Sequence, residues 1–323
     1  MADFVELDDM ALQRLVAVGE FPVPATGWVL FGIRGALPEP EEEAPLFAPT
    51  LSLRLVELDY DFPRCTLGQW DRDSTTLRAF AGSTVPHISL IRWAKSRGGI
   101  GVNQMLEGCV GYRRGPHTPS SGKSYEAFRQ ASFVGYQRTS DNDVFNRADA
   151  IDYSRSREHP GDNIHAAFAM NSSLKYTKAS AGCQIVVGTP RRANDPSSAD
   201  RGSWPIFRNE AYATGQTEFS YILLRGTFVR DVLAADPGTF PVHVRMGSLG
   251  PSVALVQEGL LDADYARTPG ERYITDRAHI DEDFGPRTLR SLVDYQRDRG
   301  LLEDGVAGPV TAASLDIADW PRA

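Results

Sequence analysis

The chain has 323 residues, 41% hydrophobic and 24% charged, the balance of a globular protein with a sizeable core and room for about two domains. A net charge of −8 argues against nucleic acid or an anionic membrane surface as the main partner. Cys65, Cys109 and Cys183 are too few for a disulfide framework and form no CxxC pair for a structural zinc.

No run reaches the roughly 18 apolar residues that span a membrane. The acidic start, Met1-Ala2-Asp3-Phe4-Val5-Glu6, lacks the basic and apolar regions of a secretory signal. The expectation is a chain made in the cytoplasm, reaching any outside target by lysis, a phage or a secretion system.

Met10, Leu12, Leu15 and Val16 predict one helix within residues 1–27, ended by Pro22-Val23-Pro24. Residues 28–33 read as a buried strand, and residues 38–49, with Glu41-Glu42-Glu43, as a solvated acidic loop. Leu51, Leu53 and Leu55 alternate with polar residues. The apolar phase then slips to Val56, Leu58 and Tyr60, which predicts a bulged strand running on to residue 60. Residues 65–70 and 76–80 continue the β pattern around a polar turn at residues 71–74. Residues 94–150 read as loop-rich, because Gly98-Gly99, Gly115-Pro116 and Ser120-Ser121-Gly122 interrupt them. A short helix is expected at residues 204–212 and a closing strand at residues 219–225. Residues 236–241 read as a linker. Beyond it Val253, Val256 and Leu260, then Leu289, Leu292, Val293 and Gln296, recur at helical spacing.

The chemistry-bearing stretch is Asp162-Asn163-Ile164-His165, followed by Ser180-Ala181-Gly182-Cys183-Gln184. An imidazole that takes a thiol proton generates the thiolate, which is the nucleophile. The histidine needs an orienting partner on its other nitrogen. Ala166 has no side chain for this, which leaves Asp162, Asn163 or a backbone carbonyl. Ser180 and Gly182 are read as shaping the site, with the Gly182 and Cys183 amides aimed at a developing oxyanion. A zinc reading would recruit His117, His159 and Asp162, but their spacing matches no metal motif, and no metal or cofactor is assigned. Arg113, Arg114, Arg138 and Arg155 are candidates for binding a peptide carboxylate. Gly32-Ile33-Arg34-Gly35 does not extend to a phosphate-cradling loop.

Two resemblances follow. Residues 244–323 carry Phe284-Gly285-Pro286-Arg287-Thr288 and Gly305-Val306-Ala307-Gly308-Pro309-Val310-Thr311, a Gly-Pro-x-Thr start repeated before two helices. This resembles the type 1 peptidoglycan-binding domain, which implies a small three-helix module and peptidoglycan as partner. His165, a spacer of 14 residues and Ser180-Ala181-Gly182-Cys183 resemble the L,D-transpeptidase (YkuD) motif, in which Ser/Thr-His-Gly-Cys follows the histidine. Ala181 stands where that family has a second histidine, and Gln184 also departs from it. The resemblance implies a β-rich catalytic domain over residues 28–235, with Cys183 as nucleophile and His165 as base.

The expected fold is α+β: a β-rich, L,D-transpeptidase-like domain, then the helical module. The expected function is acylation of Cys183 by a peptidoglycan stem tetrapeptide, resolved by an amine or by water. The alternative is a catalytically weak wall-binding component of a phage tail or injection system.

Overall fold

The computed structural model describes residues 3–98, 101–119, 121–138, 142–146, 149, 151–152, 161–176, 179–265, 267–268, 271–272 and 276–323. The chain opens with strand β1 (Phe4–Asp8) and helix α1 (Asp9–Gly19). Asp8 caps α1 by accepting the Ala11 amide at 2.7 Å. The strand is an addition to the single helix expected there. It pairs with β4 (Thr50–Leu55), which also pairs with β3 (Ala36–Pro38). Val5, Leu7, Leu12, Leu15 and Val18 enter the core, so residues 4–19 belong to the body of the fold.

The centre is a closed barrel. Its strands are β2 (Trp28–Arg34), β5 (Cys65–Asp71), β6 (Thr76–Ser83), β8 (Gly108–His117), β9 (Tyr125–Gln130), β12 (Ile164–Ala166), β13 (Gln184–Val186) and β14 (Glu218–Arg225). They run in the order β12-β13-β6-β5-β2-β14-β8-β9, and the Ile164–Phe128 pairing closes the ring. Closure removes free sheet edges. Leu30, Leu67, Phe80, Val110, Tyr112, Phe128, Tyr221 and Leu223 fill the interior.

One expectation is corrected. The strand at residues 50–55 stops at Leu55, and Val56 to Tyr60 form a loop in which Val56 N–H reaches the Gly35 carbonyl. The apolar residues there pack on α2 (Ile88–Ser96) and other neighbours instead of extending a strand. Residues 94–150, expected to be loop-rich, also carry regular structure among the described residues. They hold the β8–β9 hairpin and the strands β7 (Asn103–Met105) and β10 (Tyr136–Arg138), which form a small sheet with β11 (Ile151–Asp152) in the order β11-β10-β7. Gly115-Pro116 lies inside this ladder, where Gly115 pairs with Ala127.

Helix α3 (Ser203–Ala213) packs Trp204 and Phe207 against Phe128. Helix α4 (Gly226–Ala234), which the sequence reading did not separate from the closing strand, buries Val229 and Val232. After it come α5 (Pro251–Asp262), α6 (Pro286–Asp298) and α7 (Pro309–Ser314). Each starts with Pro in the first turn behind a Gly cap, where a missing N–H costs nothing.

These last helices are not tethered at a distance. Val244, Met246, Val253, Leu289 and Leu292 share one apolar cluster with barrel residues. Backbone bonds join the parts: Cys109 N–H donates to Met246 O at 3.1 Å, His243 N–H to Val18 O at 2.8 Å and Leu249 N–H to Glu20 O at 2.8 Å. The Glu20 carboxylate then accepts from Ser252 Oγ (2.5 Å) and Ser252 N (3.2 Å), a negative charge on the positive end of α5. At the same junction Glu107 pairs with both Arg225 and Arg245. Among the described residues, no helix is long and apolar enough to cross a membrane.

Candidate functional site

His165 is the middle residue of β12, and Cys183 immediately precedes β13. The two strands are parallel neighbours, with His165 opposite Ile185. Adjacency in the barrel therefore brings together residues separated by a loop. His117 joins them from the end of β8, its ring stacked on that of His165 at a centroid distance of 4.1 Å and 23° between planes. A ring nitrogen of each histidine and Cys183 Sγ all lie within 4.8 Å of one another.

The hydrogen bonds fix the tautomer of His165. Nδ1 lies 2.9 Å from the Ala166 carbonyl oxygen, which only accepts, so Nδ1 carries the proton. The Tyr125 hydroxyl is the second neighbour of Nδ1, at 3.1 Å. Nε2 keeps its lone pair, and it is buried without a hydrogen-bond partner. An unpaired buried acceptor is costly, so this one is available to a proton from a neighbour. The orienting groups are thus a backbone carbonyl and a tyrosine. Asp162 and Asn163, the side-chain candidates, lie elsewhere. Asp162 accepts from Asn103 Nδ2 at 3.0 Å, and Asn163 accepts from the Gln130 amide at 3.3 Å and reaches His117 Nδ1 at 3.0 Å.

Ser180 and Gly182 shape the turn. Ser180 Oγ donates to Cys183 O at 2.7 Å and accepts from Gly182 N at 3.2 Å. The Gly182 amide is therefore committed within the turn, which corrects the expectation that it faces an oxyanion. Gly182 has φ +148°, and a Cβ there would stand 2.7 Å from Asp162 Oδ2 and from Asn103 Cβ. Only glycine fits.

Burial sets the protonation states. It pushes the Cys183 thiol well above the usual thiol range, and the Asp162 carboxylate adds to this, while the backbone N–H groups of Asn163 and Cys183 oppose it. Burial holds His165 down to about 3, assisted by His117 and opposed by the Ala166 carbonyl. Burial and then Arg129 hold His117 down to about 4. Asp162 is raised by burial to about 6, against the pull of Asn103 and Arg138. At neutral pH the resting pair is a thiol beside a neutral imidazole. Burial thus opposes a standing thiolate–imidazolium ion pair in the unliganded site.

Of the arginine candidates, Arg138 lies at this site, donating to Asn103 Oδ1 beside Asp162. Arg113 is exposed on β8, and Arg114 stacks over Tyr212. His159 and Arg155 lie outside the described residues. The three donors His117, His165 and Cys183 suit a soft metal by type. Their ligand atoms lie within 4.8 Å of one another, with the two imidazole rings stacked.

The C-terminal helices repeat one device. The buried Gln257 of α5 donates to Thr288 Oγ1 (3.0 Å) and Asp283 O (3.1 Å), and its Oε1 accepts the Asp281 and Glu282 amides. Gln296 of α6 does the same one unit later, donating to Val306 O (3.0 Å) and accepting the Gly305 amide (3.0 Å). Each glutamine holds the loop that leads into the next Gly-Pro helix start. Residues 250–315 match the family model of the putative peptidoglycan binding domain. No curated protein and no solved structure matches the chain. This match supports peptidoglycan as a partner of this protein. On its surface a cleft of about 230 Å³ runs past Leu301, Val306 and Pro309 to Val310, which is 72% exposed.

Signals missed in the sequence were His117 as a neighbour of His165, and Tyr125. Both come from the β8–β9 hairpin, where Gly115-Pro116 hid the strand.

Proposed function

We propose that the protein is a cysteine acyltransferase or hydrolase of L,D-transpeptidase type acting on peptidoglycan stem peptides. The observation that carries this reading is the buried His165 ring, which has an unpaired Nε2 and a nitrogen within 4.8 Å of the Cys183 thiol, in a chain that also matches a peptidoglycan-binding domain over residues 250–315. His165 Nε2 takes the Sγ proton as sulfur attacks the carbonyl between the third residue and the fourth, D-Ala. The tetrahedral intermediate collapses, the C–N bond breaks, and His165 returns the proton to the departing amine. An acceptor amine or water then attacks the thioester, giving its proton to His165, and the C–S bond breaks to restore the thiol. The binding domain, packed against the barrel, raises the local concentration of stem peptides.

The test is incubation with disaccharide-tetrapeptides followed by mass spectrometry, with Cys183→Ala as control. Loss of D-Ala or cross-link formation that disappears in the variant supports the reading. Unchanged muropeptides refute it, and a product that survives Cys183→Ala refutes the thiol mechanism. Cys183 is only 8% exposed, which favours a second reading: a wall-binding component of a phage tail or injection system with little catalysis. Sedimentation with purified sacculi but unchanged muropeptides is its signature.

A further inference from the structure

The family motif resembled by residues 165–183 places a histidine where this chain has Ala181, and the Gly182 amide is already bound by Ser180. An acyl-transfer site so built keeps the Cys183 amide but has no side-chain donor from this turn for the oxygen of the tetrahedral intermediate. His117 is placed to supply one. Asn163 Oδ1 accepts the Gln130 backbone N–H, so its Nδ2 faces His117 and donates to Nδ1 at 3.0 Å. A ring that accepts at Nδ1 carries its proton on Nε2.

The two stacked imidazoles therefore hold opposite tautomers. His165 presents a lone pair at Nε2, and His117 presents an N–H at Nε2. Both rings have a nitrogen within 4.8 Å of Cys183 Sγ. We propose that His117 is a catalytic residue, the oxyanion donor of the site, and that Asn163 positions it by selecting its tautomer. This rests on the acyl-transfer reading above. As sulfur bonds to the carbonyl carbon, the carbonyl oxygen becomes an oxyanion and accepts from His117 Nε2–H. No proton is transferred from His117 in this step. Burial and Arg129 keep the ring neutral, so its N–H is a fixed dipole and not an acid that competes with His165 for the Sγ proton. His117 is only half-buried, unlike His165, so a substrate oxygen has a side from which to approach.

The experiment compares two reactions of Cys183 in the full-length protein: acylation by disaccharide-tetrapeptide, which passes through an oxyanion, and alkylation by iodoacetamide, which does not. Variants are His117→Phe, which keeps a stacking ring without the N–H, and His117→Gln, which keeps an N–H donor. The expected result for His117→Phe is a fall of about 10²-fold or more in kcat with little change in KM. Alkylation stays within about twofold of wild type, and His117→Gln recovers part of the acylation rate. Melting curves confirm that each variant is folded, and His117→Leu replaces the phenylalanine variant if that one melts early. Acylation at the wild-type rate in His117→Phe overturns the proposal. So does a parallel fall in alkylation, which would place His117 on the thiol. A wild-type protein that alkylates but never acylates refutes acyl transfer itself, a separate outcome.

Discussion

Leu289 tests whether barrel and wall-binding domain fold as one unit. Its side chain is fully buried. A methyl group on Gly135 would stand 2.5 Å from Leu289 Cδ2, and one on Gly305 would stand 2.5 Å from Cδ1, so glycine backbone walls the residue on both sides. Gly135 leads into β10, and Gly305 belongs to the loop before α7. Leu289→Ala removes three carbons, worth about 2.4 kcal/mol at about 0.8 kcal/mol each. Backbone walls collapse poorly onto a cavity, so a further 1–2 kcal/mol or so is expected, for a total of about 4 kcal/mol. The assay is hydrogen exchange by mass spectrometry across a urea series, following peptides from β5 and from α6. The expected result is that both peptides lose protection at the same, lowered urea concentration. If α6 opens early while β5 keeps its wild-type midpoint, the shared-core argument is refuted.

Gly182→Ala is expected to cost at least about 2 kcal/mol, from positive φ and contact with Asp162 and Asn103, and to speed Cys183 alkylation by opening the turn; a wild-type melting curve contradicts this. Asp162→Asn removes a desolvated carboxylate whose charge also raises the Cys183 thiol, so Cys183 should alkylate faster between pH 7 and 8. The folded pKa of Asp162, about 6, is raised, so its contribution to stability is full below the unfolded value near 4 and is lost as pH rises through 6. The Asn variant should therefore gain in melting temperature over wild type at pH 7.5 but not at pH 4. His165 at about 3, and His117 and His243 at about 4, lie below the unfolded value near 6.5. Their contribution is full above pH 6.5 and is lost as pH falls toward 3. The three histidines carry the larger shifts and are set against the raised carboxyls Asp162, Asp283 and Asp304, so urea midpoints should drop between pH 7 and pH 4, and a flat profile would contradict the burial of the histidines.

Much of the fold was legible because local periodicity reports local structure. The strands at residues 28–34, 65–71 and 76–83 alternate or run apolar, and the Gly-Pro helix starts announce α6 and α7. The failures have physical causes. Val56, Leu58 and Tyr60 look like a strand in a new phase because loop residues that pack on a helix, as Leu58 and Tyr60 do, or on strands, as Val56 does, are also apolar. Gly115-Pro116 looks like a break, although the long β8–β9 ladder tolerates it near its end.

The candidate site divides along the same line. The residue types and spacing of His165, Ser180, Gly182 and Cys183 are properties of the chain, and they name a thiol and a base. Which histidine nitrogen is free, which amide is already engaged and which second imidazole stands beside the sulfur depend on strands that meet only when the barrel closes. The Ala166 carbonyl selects the tautomer of His165, Ser180 takes the Gly182 amide, and His117 arrives from β8. Hydrogen-bond direction and ring stacking act over a few ångströms between residues far apart in sequence, so periodicity and spacing hold no record of them. The peptidoglycan-binding domain was readable from its repeated Gly-Pro-x-Thr starts, but its seat against α1 and the barrel exists only in the packed core.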